Sequence, residues 1–251
     1  MPGVKLRLAT VAFAVAAAAA NARTTIPDFA PGGPVTLGAV NTGDRLALAD
    51  GRSLRLASIE TPATGELAAR AKLALEKLVT GKTLELRYAG NASDREGRVV
   101  AALFAGGRWV QRELVRRGLA RVHGAADNRL GLTALLAAED AARKARRGLW
   151  RRSAYAVREA DDAARDAGTW QIVAGTVADA ALVEDGAWLD FGPDRHTGFG
   201  VHISREALKL ARAAGLDPNG LKGARVRVRG FIDGTRRPTI EVTFPEQIER
   251  R

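Results

Sequence analysis

The chain has 251 residues, 46% hydrophobic and 27% charged, a globular composition that excludes a fibrous or disordered protein. It has no cysteine, which excludes disulfide frameworks, Cys-ligated zinc and thiol nucleophiles, and its three histidines are too scattered for a His-rich metal site. Basic residues number 39 against 28 acidic, a net charge of +11 that favours polyanionic partners and says nothing of fold.

Met1–Arg7 carries Lys5 and Arg7 with no acid, and Leu8–Ala20 is a largely apolar run of thirteen residues. Ala20-Asn21-Ala22 then places small residues at both positions of a cleavage site. The pattern predicts a secretory signal peptide over residues 1–22, because a spanning helix needs about 20 apolar residues. The expected mature protein is secreted or periplasmic, with no integral membrane segment. Residues 23–34 hold three of the nine prolines and read as an extended leader.

From Val35 the pattern alternates. Arg45–Leu48, Asp50-Gly51 and Ser53–Leu56 predict a hairpin whose Asp-Gly supplies positive φ angles. Leu67, Ala71, Ala74, Leu75 and Leu78 recur at helical spacing and predict an amphipathic helix over Glu66–Val79. Lys82–Tyr88 is a strand, Arg98–Phe104 and Trp109–Val110 flank Gly106-Gly107 as a hairpin, and Val110–Arg117 and Leu132–Arg147 are helices stopped by Gly118 and Gly148. Three strands, a helix, two strands and further helices predict a mixed α+β domain at 35–150 built on a five-stranded OB-fold barrel. Residues 151–168 read as a linker or solvated helix. The same order then recurs over 169–251: Gln171–Thr176, Ala187–Phe191, Gly198–Ile203, a helix at Arg205–Ala214, Arg225–Ile232 and Thr239–Thr243. A second, smaller OB-like β-barrel is expected there.

Five ordered blocks carry a resemblance: Gly43-Asp44, Arg55–Pro62, Asp94–Arg98, Trp109–Ala120 and Arg146–Trp150. They are similar to the staphylococcal-nuclease-like (thermonuclease) family. Trp188–Gly192, Val226–Gly230 and Pro245–Glu249 resemble the C-terminal extension of some bacterial secreted members. The resemblance implies an OB barrel that holds one Ca²⁺ beside two arginines and hydrolyses DNA or RNA. By position it places the metal ligands on Asp44, Glu60 and the Thr61 carbonyl, and the phosphate-clamping arginines on Arg55 and Arg98. The residue types suit that chemistry: a hard cation takes carboxylate and carbonyl oxygens, and guanidinium forks neutralise a five-coordinate phosphorus.

The departures are specific. Ala63 stands where the family places its general-base glutamate, and a methyl group cannot accept a proton, a role usually contributing about 10²–10⁴-fold. Glu60 replaces an aspartate, Thr42 another aspartate, and Arg45 a threonine. Glu66, three residues on, is either a substitute base or an acid in the first turn of a helix, and the helix dipole favours the second.

Three readings remain open: a weak or lost Ca²⁺-dependent nuclease, a binding module for nucleic acid or another polyanion, and an envelope protein-interaction module. Arg225, Arg227 and Arg229 alternate on one strand face and read as a solvated face before a nucleic-acid ladder. Arg112, Arg116, Arg117 and Arg121 with Arg143, Lys144, Arg146 and Arg147 are eight cations able to steer a polyanion. Trp109 and Trp150 are expected to pack rather than stack on bases. His196 and His202 are expected to have no catalytic role.

Overall fold

A computed structural model describes residues 26–251; the expected signal peptide lies outside the described residues. The first barrel runs β1 (Ala30–Val35), β2 (Leu37–Val40), β3 (Arg45–Leu48), β4 (Ser53–Leu56), β5 (Ile59–Glu60), α1 (Gly65–Val79), β6 (Leu84–Tyr88), β7 (Val99–Ala105), β8 (Arg108–Trp109), α2 (Val110–Arg116), β9 (Arg121–Val122) and α3 (Leu132–Lys144). Its main sheet has the order β1-β6-β7-β4-β3-β2. Thr36 alone separates β1 from β2, so one bent strand occupies both ends of that path and closes the barrel. Closure removes the exposed edges that an open sheet would present. Strands β4 and β7 pair in parallel, Arg55 opposite Val100. Inside, Leu46, Leu54, Leu56, Leu86, Leu103 and Phe104 are buried.

Residues 30–34 are therefore no leader. Ala30–Val35 pairs with β6, with a register shift between Pro31 and Gly33, and prolines are tolerated in strands at such irregularities. A Cβ on Gly32 would lie 2.6 Å from the Tyr88 ring. Phe29 packs edge-on against Phe104 and Trp109. The β3–β4 turn also differs in detail from the expectation: of Asp50-Gly51 only Gly51 has a positive φ, +87°.

The chain continues through single 3₁₀ turns at Gly148–Arg151 and Ser153–Tyr155, β10 (Arg158–Glu159) and a 3₁₀ segment at Ala160–Asp166. It then forms β11 (Trp170–Thr176), β12 (Asp179–Val183), β13 (Gly186–Asp190), β14 (Gly200–Ser204), α4 (Arg205–Ala213), β15 (Arg225–Asp233), β16 (Thr239–Val242) and β17 (Ile248–Arg250). The path β11-β15-β16-β14-β13-β12 repeats that of the first barrel. The parallel pair, now β14 with β16, recurs as well. The second domain is thus OB-like, as its element order predicts. The segment read as a linker belongs to this domain's wall, since β10 pairs with β11 and Ala160 and Ala163 are buried in its core.

The two barrels share packing. Phe244 of the second sits in the core of the first, and Ile172 joins Ala142, Leu149 and Trp150 in a cluster between them. Beside it lies an ion network. Arg229, 2% exposed, reaches Glu139 at 2.8 Å and Glu249 at 2.5 Å, and Nη1 donates to the Val122 carbonyl. The other oxygen of Glu139 accepts the Val122 N–H at 2.7 Å. Asp140 collects Arg143, Lys144, Arg227 and Arg251. Arg129 grips Glu246 with two hydrogen bonds. The Arg225–Arg229 ladder is therefore not a solvated face along its length: Arg227 and Arg229 are consumed at the domain boundary, and Arg225 pairs with Glu159. Glu241, on the neighbouring strand β16, bonds His202 and not the ladder. Among the described residues no helix is long and apolar enough to cross a membrane.

Candidate nucleic-acid interface

The β3–β4 hairpin sets the first group of predicted residues. Its leucines point inward, so Arg45 and Arg55, directly opposite each other, point out. Asp44, just ahead of β3, is buried; its carbonyl accepts the Leu56 N–H at 2.8 Å and its Oδ1 accepts the Thr42 hydroxyl at 2.7 Å. Gly43 lets this loop lie on the next segment, because a Cβ there would be 2.6 Å from the Ala71 methyl and 2.9 Å from Thr61 Oγ1. The Asp44 loop and Thr61 are thereby neighbours.

Arg98 follows a positive-φ Gly97. Its Nε donates to Asp94 at 2.7 Å and its Nη2 to Glu96 at 2.8 Å, while Asp94 also accepts the backbone N–H groups of Glu96 and Arg98. These bonds, Asp94's first, raise the Arg98 pKa. Arg55 differs: among the described residues no carboxylate lies within 4 Å of it. It lines a cavity of about 490 Å³ with Asn91, Asp94, Arg95, His123 and Asn128.

Glu60 goes elsewhere. Ser58, with φ +63°, turns the chain between β4 and β5, and β5 then pairs with β9 so that Glu60 faces Arg121. Arg121 donates through Nε at 2.8 Å and lies 2.7 Å from Glu60 through Nη2. His123 Nδ1 adds a contact at 3.2 Å. The His123 bond first, then the Arg121 charge against some desolvation, lowers the Glu60 pKa to about 2. Trp170 of the second barrel fixes the pair from behind: its ring stacks on His123 and lies under the Arg121 guanidinium at 4.1 Å, and its carbonyl accepts from Arg121 Nη1. Asp94, Arg121, His123, Ser58 and Trp170 are site-shaping residues that sequence reasoning missed. Asp94 and Ser58 stood within the quoted blocks and Arg121 beside one, whereas His123 and Trp170 act through tertiary contacts.

Residues 53–152 match the family model described as staphylococcal nuclease homologue. This segment is a staphylococcal-nuclease-like domain. A protein of Capnoides sempervirens described as an uncharacterized 38.1 kDa protein is 36% identical over 98 residues, 39% of this chain. The chain spans only 28% of that relative's length.

For the calcium ion the resemblance implies, the donors of this nuclease-like domain do not fit. A hard cation of this size takes six to eight oxygens, with carboxylates supplying the charge. Here the Arg121 guanidinium and the His123 ring both engage Glu60, and a hydroxyl takes one oxygen of Asp44. Among the described residues no three His, Asp or Glu side chains gather as a metal-holding group. Ala63 is exposed. Glu66 sits in the first turn of α1 and pairs with Arg152 at 3.2 Å and Arg70 at 3.7 Å, the structural role the helix dipole favours.

The eight expected cations divide. Arg116 and Arg117 share Glu113, Arg121 holds Glu60, and Arg143 and Lys144 hold Asp140. Arg147 donates to a backbone carbonyl, and among the described residues no carboxylate lies within 4 Å of it. Trp109 and Trp150 are buried, as expected of packing residues.

Proposed function

We propose that the nuclease-like domain binds the phosphodiester backbone of nucleic acid and has lost calcium-dependent hydrolysis. One observation carries this reading: the carboxylate at the second ligand position is paired with the Arg121 guanidinium at 2.7 Å and also contacted by His123 Nδ1 at 3.2 Å. Ala63, at the base position, adds to it. A site without its paired carboxylates cannot concentrate positive charge on a phosphoryl oxygen, and without a base it cannot activate water. What remains suits binding. Arg55 lines the cavity with no carboxylate within 4 Å among the described residues, and residues 23–168 carry 25 basic against 17 acidic residues. The N-terminal pattern of residues 1–22 supports action outside the cytoplasm as part of the same proposal.

The test uses labelled single-stranded DNA and RNA with the purified protein, with Ca²⁺ or EDTA. The expected result is binding that weakens steeply with salt and strands that stay intact in both conditions. Metal-dependent cleavage that disappears in Arg55→Ala overturns the proposal in favour of a working nuclease. Absence of binding to either polymer overturns it in favour of a protein-interaction module. Ala63→Glu separates the two defects: no gain in cleavage is expected while Glu60 stays paired, and a large gain would show that only the base is missing.

A further inference from the structure

Away from the barrel mouth, α1, the end of α2 and the turn after α3 enclose a cavity of about 470 Å³ lined by Arg70, Arg117, Arg147, Arg151 and Arg152 around Leu67. We infer that this arginine pocket is the principal seat of the nucleic-acid phosphate backbone; the inference rests on the binding function proposed above and locates it.

The backbone explains why five guanidinium groups from three segments converge. Gly118 ends α2 and Gly148 opens the following turn, and the Leu149 N–H donates to the Gly118 carbonyl at 2.8 Å. A Cβ on Gly148 would lie 2.0 Å from that carbonyl oxygen, so only glycine allows the approach. The contact sets Arg117 against Arg147 and the Arg151-Arg152 pair across one hollow, with Arg70 projecting from α1. Two of the guanidinium groups are aimed by backbone carbonyls: Arg147 Nη1 donates to Arg116 at 3.2 Å, and Arg151 Nε donates to Arg146 at 2.9 Å. Carbonyls orient a guanidinium without cancelling its charge.

The acid count decides which surface is favoured. Glu66 is divided between Arg152 and Arg70, and Glu113 sits closer to Arg116, at 2.9 Å, than to Arg117, at 3.7 Å. Among the described residues Arg147 and Arg151 have no carboxylate within 4 Å. At the barrel mouth the balance is reversed: Asp94 and Glu96 hold Arg98, and Asp94 and Asp127 line the Arg55 cavity. At the domain boundary every arginine of the ladder is matched by acids. Planar guanidinium forks that are exposed, oriented and short of counter-ions are suited to bidentate contact with phosphate oxygens, which free phosphates and a polymer backbone both present.

The experiment measures anisotropy of a labelled single-stranded oligonucleotide on the full chain across a salt series. It compares wild type with Arg147→Gln/Arg151→Gln/Arg152→Gln and with a charge-matched control, Lys209→Gln/Arg212→Gln/Arg250→Gln, whose sites are exposed on the second barrel. Melting curves check that both variants fold. The pocket variant is expected to bind at least about tenfold more weakly, with a log–log salt slope shallower by about 2, from about 0.7 per lost phosphate contact on a single strand. The control is expected to change little. Inorganic pyrophosphate is expected to compete only weakly with the polymer, which makes several contacts at once. A pocket variant indistinguishable from the control overturns this inference while leaving the proposed binding function in place. A wild-type protein that binds pyrophosphate through these arginines but no oligonucleotide overturns both, as does one that binds neither.

Discussion

Replacing Arg229 by alanine probes the most buried cation among the described residues. The side chain is 2% exposed and Glu139 is fully enclosed, so the substitution strands a carboxylate with no water to solvate it. Breaking a buried pair by removing one partner costs about 3–5 kcal/mol. Two features hold the loss to the lower part of that range. Arg143 lies 3.4 Å from Glu139, and Glu249 keeps Arg251 at 2.5 Å. A loss of about 3 kcal/mol lowers the melting temperature of a chain this size by about 6–12 °C. The assay is guanidinium unfolding followed by tryptophan fluorescence, since Trp150 and Trp170 flank the boundary. The companion Glu139→Gln/Arg229→Met keeps an acceptor for the Val122 N–H and removes both charges, so its loss should fall below about 2 kcal/mol. A loss under about 1 kcal/mol in Arg229→Ala, or a companion as unstable as the single variant, refutes the reasoning.

Acid should weaken the Glu60 contacts. The carboxyl pKa is lowered from 4.5 to about 2, so its contribution is present above pH 4.5 and disappears as pH falls toward 2. Because the side chain is 40% exposed, that contribution is only about 1 kcal/mol, and the melting-temperature gap between wild type and Glu60→Gln should close over that window; a gap independent of pH contradicts the pairing. Gly43→Ala drives a methyl into Ala71 and Thr61 and should cost about 1–3 kcal/mol by thermal melting, whereas an unchanged melting temperature would mean the two loops are not in contact. Gln111 is fully buried, donating to the Ala101 carbonyl at 2.8 Å and accepting the Leu103 N–H at 3.1 Å. Gln111→Leu strands both groups at about 1–3 kcal/mol each, to be read from denaturant midpoints.

Periodicity and turn residues made most of the first barrel legible, because its inward leucines alternate with polar residues and its helix has apolar spacing. Residues 30–34 escaped because proline and glycine signal loops locally, whereas the barrel needs a bulged strand there that only its pairing with β6 defines. The short strands β5 and β9 carry no periodic signal of their own; a two-residue ladder is set by what it brings together, here Glu60 and Arg121. For the same reason the position of Glu60 was readable and its engagement was not. The arginine ladder of β15 shows the limit most plainly. Alternation put three guanidinium groups on one face, but not their partners, since the acids that meet them lie on β10, α3 and β17.

The interlocked boundary gives the two barrels a common fate. With Phe244 seated among the leucines of its neighbour and Glu139 dependent on an arginine some ninety positions later, neither half is a spare part that can be clipped off, exchanged or lost in evolution without its companion. Heat should melt them in a single step, and a library of truncations should recover soluble material only where both halves survive.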